Sequence, residues 1–435
     1  MTMQFFNHLE SNVRGYIRSF PAVFKTATGS ILVDEEGKQY IDFFSGAGTL
    51  NYGHNHPVFK KKLIEYLNED GVVHGLDMAT TAKKDFLTAF ENVILKPRNL
   101  NYKIQFTGPT GTNAVEAALK IARLAKQRAN IVSFTGGFHG VTMGSVAATG
   151  NVLYRSGAGV PLDNTTFMPY EKYLGVEHDS LDYIRKFIAN TSSGVDLPAA
   201  FIVETVQGEG GVNVASPKWL RGLQAICREF DILLIIDDIQ AGCGRTGQFF
   251  SFEGMGIEPD LVLLSKSLGG YGLPMSLVLL KPELDQWEPG QHNGTFRGNN
   301  LAFVAAAEAI HTFWSDESFS KELTVKSHRL QSDLFALKLR YPQAIKDVRG
   351  RGMLHGIQMH DPEKTKAVAE RAFELGLLVE RCGSEDEVLK IIPPLVIDEA
   401  LMNEGMKIIN QSISDVFENF HQAPAKIERK EYASQ

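Results

Sequence analysis

The stretch Leu233-Leu-Ile-Ile-Asp-Asp-Ile-Gln240, followed after a polar interval by Leu261-Val-Leu-Leu-Ser-Lys266, holds two short runs that are aliphatic at almost every position and end abruptly on charge. A strand wet on one face alternates apolar and polar residues, so an unbroken aliphatic run marks a strand covered on both faces. Working outward, Ile131 to Phe134, Phe201 to Glu204 and Met275 to Leu280 have the same texture as Leu233 to Asp238 and Leu261 to Lys266. Between them, Ala114 to Gln127 and Lys218 to Phe230 carry apolar residues at helical spacing. The expected fold class is α/β, a mostly parallel central sheet covered by helices.

From about Phe313 the texture changes. Long polar helices, Glu317 to Lys338 and Lys364 to Leu375, flank short strands at Gly352 to Met359, Leu377 to Arg381 and Val388 to Ile392, which predicts a smaller α+β lobe. Strand candidates Phe20 to Thr26 and Ile31 to Val33 precede the first long helix. The expected organisation is an N-terminal segment 1–56 joining the small lobe, a large domain 57–312, the small domain 313–421 and a polar tail 422–435 that frays. A chain of 435 residues with 43% hydrophobic content suits two linked lobes.

Lys plus Arg number 44 against 51 Asp plus Glu, a net charge of -7 with no long basic run, which argues against a nucleic-acid partner. The N-terminus has neither a basic leader nor a long apolar stretch, so the expectation is a soluble cytoplasmic protein with no membrane partner. Cys227, Cys243 and Cys382 have no CxxC spacing, and His54, His56 and His139 form no metal-ligand pattern; no metal is expected, and the histidines are read as structural or hydrogen-bonding.

In an open α/β sheet, ligands bind beyond the carboxyl ends of the strands, so charge at those ends is read first. Lys266 closes its run and leads into Ser267-Leu-Gly-Gly-Tyr-Gly272. Alone, a strand-end lysine ordinarily reaches solvent. Asp237 follows four aliphatic residues, where a carboxylate needs a partner, and a pyridinium nitrogen is a suitable one. A turn or helix cap is the plainer role, which Asp238 equally suits. Gln240 is then placed to meet a phenolic oxygen. The segment Phe106-Thr-Gly-Pro-Thr-Gly-Thr-Asn113 runs into a helix, where bared N–H groups and the hydroxyls of Thr110 or Thr112 favour a phosphate; a Thr-capped helix is the alternative. Neither GxGxxG nor GxxxxGK[ST] spacing is present, which weakens dehydrogenase and ATPase readings. In Thr135-Gly-Gly-Phe-His-Gly140 the aromatic between glycines suits stacking on a flat ring, or is simply a turn aromatic.

In this order the motifs resemble the class III aminotransferases, the ornithine and 4-aminobutyrate type within fold-type-I pyridoxal-phosphate enzymes. The resemblance runs from about Tyr16 to about Val396. It adds Ile235-Ile-Asp-Asp-Ile-Gln-Ala-Gly-Cys-Gly-Arg-Thr-Gly247, Glu204-Thr-Val-Gln-Gly-Glu-Gly-Gly211, Gly294-Thr-Phe-Arg-Gly-Asn299 and Val348-Arg-Gly-Arg-Gly352. It implies pyridoxal 5'-phosphate as cofactor, held covalently by Lys266, with Asp237 at the ring nitrogen and Gln240 at the phenolic oxygen. Gly111 and Thr112 would bind the phosphate and Phe138 would stack on the ring. Thr295 would reach the phosphate of a neighbouring subunit, so a homodimer is the minimal unit, with a tetramer open.

Four stretches, Tyr16-Ile-Arg-Ser-Phe-Pro21, Ile41 to Pro57, Val73-His-Gly-Leu-Asp77 and Thr107 to Asn113, are most similar to members that move the amino group of L-glutamate to L-aspartate 4-semialdehyde in ectoine synthesis, a response to osmotic stress. Lys266, displaced by the donor, would be the base that moves the α-proton. Ser, Pro and Glu usually stand where this chain has Thr110, Thr205 and Asp238. The larger departure is Lys390 in Val388-Leu-Lys-Ile-Ile-Pro-Pro394, where the family carries an arginine that binds the donor carboxylate and is paired with the glutamate matching Glu209. Lysine supplies charge without the bidentate fork, so either Lys390 acts alone or Arg297 assists. The rivals are another ω-aminotransferase of the ornithine or 4-aminobutyrate type, an aminomutase or decarboxylase on the same scaffold, and a non-catalytic cofactor-binding protein.

Overall fold

The aliphatic runs assemble into one seven-stranded sheet in the computed structural model, which describes residues 2–418. From one edge to the other its strands are Lys103–Phe106, Leu277–Leu280, Leu261–Leu264, Leu233–Asp237, Ala200–Val203, Ile131–Phe134 and Thr165–Met168. Leu277–Leu280 runs antiparallel to both neighbours and every other pairing is parallel. The carboxyl ends of six strands therefore open on one edge.

Successive strand side chains point to opposite faces. Leu234, Ile236, Val262 and Leu264 enter a large core on one side, while Leu233, Ile235, Leu261 and Leu263 pack on the other against the helix Gly111–Lys126, whose Ala114, Val115, Ala118 and Ala122 are fully buried. Each fully buried Leu or Ile contributes about 1.5–3 kcal/mol, so the run that had no polar face has no exposed one.

The strands Phe24–Thr28, Ile31–Asp34 and Gln39–Asp42 form a second sheet, and Leu377–Leu378 pairs parallel with Gln39–Asp42. A third sheet has the order Ile345–Arg351, Leu354–Met359, Val388–Ile391, Glu380–Cys382. The run expected as one strand from Leu377 to Arg381 is thus two, parting at Val379 to serve different sheets. The run expected from Gly352 is preceded by a separate strand, because Gly352 (φ 65) turns the chain back on itself.

Buried Arg245 ties distant segments together by donating to Met353 O (3.1 Å), Pro393 O (2.6 Å) and Asn51 Oδ1 (2.6 Å). All three cysteines are buried and unpaired. Among the described residues no helix is long and apolar enough to cross a membrane. The tail expected at 422–435 lies outside the described residues.

Candidate active site

The sheet edge that gathers the carboxyl ends gathers the charge as well. Lys266 follows Leu261–Leu264 by one extended residue and sits at φ 51, a left-handed conformation that costs a non-glycine residue about 1–2 kcal/mol and marks a site held by its surroundings. Its Nζ donates to Ala47 O at 2.8 Å. Burial, then the charge of Lys390, lowers its pKa below the usual lysine range against the pull of Glu209. Ala47 belongs to an unusual turn in which Ser45, Gly46, Ala47 and Gly48 all have positive φ, from 49° to 85°. That turn aims the Ala47 carbonyl at two donors, Lys266 Nζ and Gln240 Nε2 (2.9 Å).

Asp237 and Asp238 part company. Asp237 Oδ2 meets His139 Nδ1 at 2.7 Å, with both side chains buried. Burial works against the imidazolium, but the hydrogen bond and charge of Asp237, with Glu204 behind, raise the His139 pKa above its ordinary value. Glu204 accepts from the amides of Phe138 (3.0 Å) and Gly208 (3.3 Å), and burial pushes its carboxyl up to about 7. Asp238 accepts instead from Ser251 N (3.0 Å), and burial pushes it, too, up to about 7. Asp238 is therefore the loop-holding residue, while Asp237 pairs with His139 and accepts from Ile239 N (3.2 Å).

Gln240 Nε2 also donates to Glu209 Oε1 (3.2 Å), while its Oε1 is buried without a partner. Glu209 Oε1 in turn accepts from Lys390 Nζ at 2.6 Å. Lys390 is fully buried, and Glu380 Oε1 lies 3.0 Å from the same nitrogen outside hydrogen-bond alignment. Burial opposes the Lys390 charge, yet Glu209 and Glu380 hold its pKa well above the lysine range. Burial works to raise Glu209, but Lys390 and then Lys266 pull it down to about 2.

The loop Thr107 to Asn113 opens the helix Gly111–Lys126, with Asn113 Oδ1 accepting from Thr110 N (3.2 Å) and Oγ1 (2.9 Å). The amides of Gly111 and Thr112 lead that helix, where N–H groups have no carbonyl in the turn below. The Thr112 hydroxyl is already engaged by Thr142 (2.6 Å) and Ser145 (2.8 Å). A Cβ on Gly111 would stand 3.0 Å from Ile239 Cδ1, so this helix start lies against the Asp237–Gln240 segment. Phe138 is partly buried, its ring 5.1 Å from that of Tyr154.

Lys266, Asp237, Gln240, Glu209 and Lys390 thus share one cluster, with Gly111 and Phe138 at its border. Thr295 and Arg297 do not join it within the chain: Thr295 is exposed, its carbonyl accepting from His74 Nε2 (2.9 Å), and Arg297 is 4.0 Å from Asp77. Arg297 thus makes no contact with Lys390. Sequence reasoning assigned no site role to Glu380, Glu204, Ala47 or His139. Two carried a signal: Glu204 ends an apolar run on charge, and Glu380 is an acidic residue in one short apolar strand answering a basic one in the next.

A family model described as aminotransferase class-III matches residues 15–413. A diaminobutyrate–2-oxoglutarate transaminase of Bordetella parapertussis is 59% identical over 416 residues, covering 95% of this chain and 96% of its own. One from Wolinella succinogenes is 55% identical over 414 residues, covering 95% and 96%. The ornithine aminotransferase from Toxoplasma gondii, whose structure has partial occupancy of PLP at the active site, superposes with a TM-score of 0.82 at 26% identity, covering 97% of this chain and 95% of its own.

Proposed function

This chain belongs to the class-III aminotransferases, and from that premise we propose how its own residues carry out the reaction. It is a pyridoxal-phosphate-dependent enzyme whose activity is diaminobutyrate–2-oxoglutarate transamination: the amino group of L-glutamate goes to L-aspartate 4-semialdehyde, yielding L-2,4-diaminobutyrate and 2-oxoglutarate.

The residues present fit the cofactor on physical grounds. The observation that carries the assignment is a half-buried amine and a buried carboxylate at neighbouring strand ends, Lys266 and Asp237, with an unpartnered buried oxygen on nearby Gln240 and a helix N-terminus alongside. Lys266 would hold the cofactor covalently, Asp237 would face its ring nitrogen and Gln240 its phenolic oxygen. Gly111 and Thr112 would present backbone N–H groups to the phosphate, Thr112 doing so with its amide because its hydroxyl is taken. Phe138 would cover the ring. When bound, the cofactor supplies an electron sink for the charge left as the donor Cα loses its proton.

The protein's part is positioning and proton transfer. Lys266 Nζ, lowered by burial, takes the proton from the donor Cα, and Ala47 O gives the free amine a fixed hydrogen-bond acceptor. His139 holds Asp237 in one orientation through its 2.7 Å hydrogen bond. With the ω-aldehyde substrate Glu209 stays on Lys390; with glutamate, Glu209 keeps Gln240 and Lys390 receives the α-carboxylate. Lysine suffices for this because its ammonium is already desolvated and needs no fork to make one strong contact.

The minimal unit is a homodimer in which Thr295 completes the partner's phosphate site; its exposure beside Phe296, which is 67% exposed, supports that reading. The segment 1–56 belongs with the small lobe 313–421 around the large domain 57–312, a division supported by the pairing of Gln39–Asp42 with Leu377–Leu378. The physiological setting is ectoine synthesis under osmotic stress. The test is conversion of the bound aldehyde cofactor to its amine form, followed by absorbance with a panel of amines. Glutamate and 2,4-diaminobutyrate convert it, and a response confined to ornithine or 4-aminobutyrate overturns the assignment. A Lys266→Ala protein has no turnover; wild-type turnover would overturn its role.

A further inference from the structure

The cluster around Lys390 holds one carboxylate more than the amino-transfer scheme uses. Glu380 and Lys390 are register partners on adjacent antiparallel strands, so both side chains leave the same face of the sheet and are fixed against each other by the backbone. Glu209 arrives differently, from the turn after Val206–Gln207, and has a second partner in Gln240. Its side chain is 21% exposed, whereas those of Glu380 and Lys390 are 4% and 0% exposed. Glu209 has somewhere to go; Glu380 does not.

One buried ammonium therefore balances two carboxylates, Glu380 buried and Glu209 partly exposed. A dicarboxylate seated on Lys390 through one of its carboxylates brings a third negative charge to that ammonium, and a buried like-charge group responds by neutralising itself rather than bearing the cost. Glu209 relieves part of this by withdrawing to Gln240. Glu380, locked opposite Lys390 and away from water, has protonation as its remaining response.

Resting on the reading that Lys390 receives the donor carboxylate, we propose that Glu380 is a positioning residue that takes up a proton when a dicarboxylate occupies the site, leaving Lys390 its full charge for the ligand, and releases it when Glu209 closes back. The groups facing Glu380 from the surrounding segments are Lys390, Glu209 and Lys266, with the phenols of Tyr16 and Tyr154 and the thiol of Cys382 also within reach of its charge. Burial holds both phenols and the thiol protonated at neutral pH. Burial pushes the Glu380 carboxyl up to about 7, against the pull of Lys390 and with the push of Glu209, so it is poised to exchange a proton near neutrality.

The experiment is titration calorimetry of the holoenzyme with glutarate, a dicarboxylate with no amino group to transfer, in buffers of different ionisation enthalpy. Above about pH 7, wild type takes up close to one proton per glutarate, and Kd rises by roughly tenfold per pH unit. Glu380→Gln loses that uptake and flattens the pH dependence, whereas Glu380→Asp keeps both. Absence of uptake in the wild type overturns the proposal without any variant, as does undiminished uptake in Glu380→Gln. Lys390→Gln separates this idea from the one beneath it. Unchanged glutarate affinity in Lys390→Gln removes the carboxylate role of Lys390, while lost affinity there with a wild-type pH profile in Glu380→Gln refutes only the role of Glu380.

Discussion

Replacing Gly208 by alanine moves one atom of the site without disturbing the fold around it. Gly208 is buried and not left-handed, so its backbone accepts an alanine, but a Cβ there would collide with Gln240 Oε1. That oxygen ends a flexible side chain, so the strain is relieved by rotation of Gln240 rather than by movement of the sheet. The rotation removes the 2.9 Å bond to Ala47 O and the 3.2 Å bond to ionised Glu209. A neutral hydrogen bond is worth about 0.5–1.5 kcal/mol and one to a charged group about 1.5–3, so together roughly 2–4 kcal/mol of positioning is lost. At about 1.4 kcal/mol per tenfold, this predicts a fall in kcat/KM for glutamate of roughly 30-fold or more. Single-turnover absorbance kinetics measure it, and the melting temperature should change by no more than about 4 °C. Because the effect passes through Gln240, Gly208→Ala combined with Gln240→Ala should be no slower than Gln240→Ala alone. Additive losses in that double variant, or a wild-type rate in Gly208→Ala, would refute the reasoning.

Lys390→Ala leaves Glu209 and Glu380 without their shared cation, which should cost about 3–5 kcal/mol in urea unfolding, far more than truncation of an exposed lysine. Burial pushes the folded Asp238 carboxyl up to about 7 from its ordinary value of 3.8, so between those values the folded state holds a proton the unfolded chain has lost, and stability falls as pH rises. Asp238→Asn should remove that part of the slope in melting curves between about pH 4 and pH 7, since its amide oxygen still accepts from Ser251 N. Thr295→Ala should weaken cofactor retention on dilution although Thr295 is remote from Lys266 in its own chain; unchanged retention would argue against a shared phosphate site.

The strands at Ile131–Phe134, Leu233–Asp237 and Leu261–Leu264 were legible because period and composition are local: a few consecutive aliphatic residues suffice to show that both faces are covered. Strand-end charge at Asp237 and Lys266 was legible for the same reason, since the charge interrupts the run itself. The strand break at Val379 was not, because Leu377 and Glu380 differ only in which sheet captures them, and the capturing strands are Gln39–Asp42 and Val388–Ile391.

The amino-acid order alone therefore determined the sheet, its helical cover, the lysine and aspartate at its open edge, and the lysine that stands where the family has an arginine. Tertiary structure decided the different partners of two adjacent aspartates, because His139, 98 residues from Asp237, reaches one and Ser251 the other. It also decided that Lys390 serves Glu380 as well as Glu209, which is 181 residues away. The physical reason is that burial on a strand is a property of neighbouring residues, whereas the partner of a buried charge is whatever the folded chain carries to within about 3 Å of it.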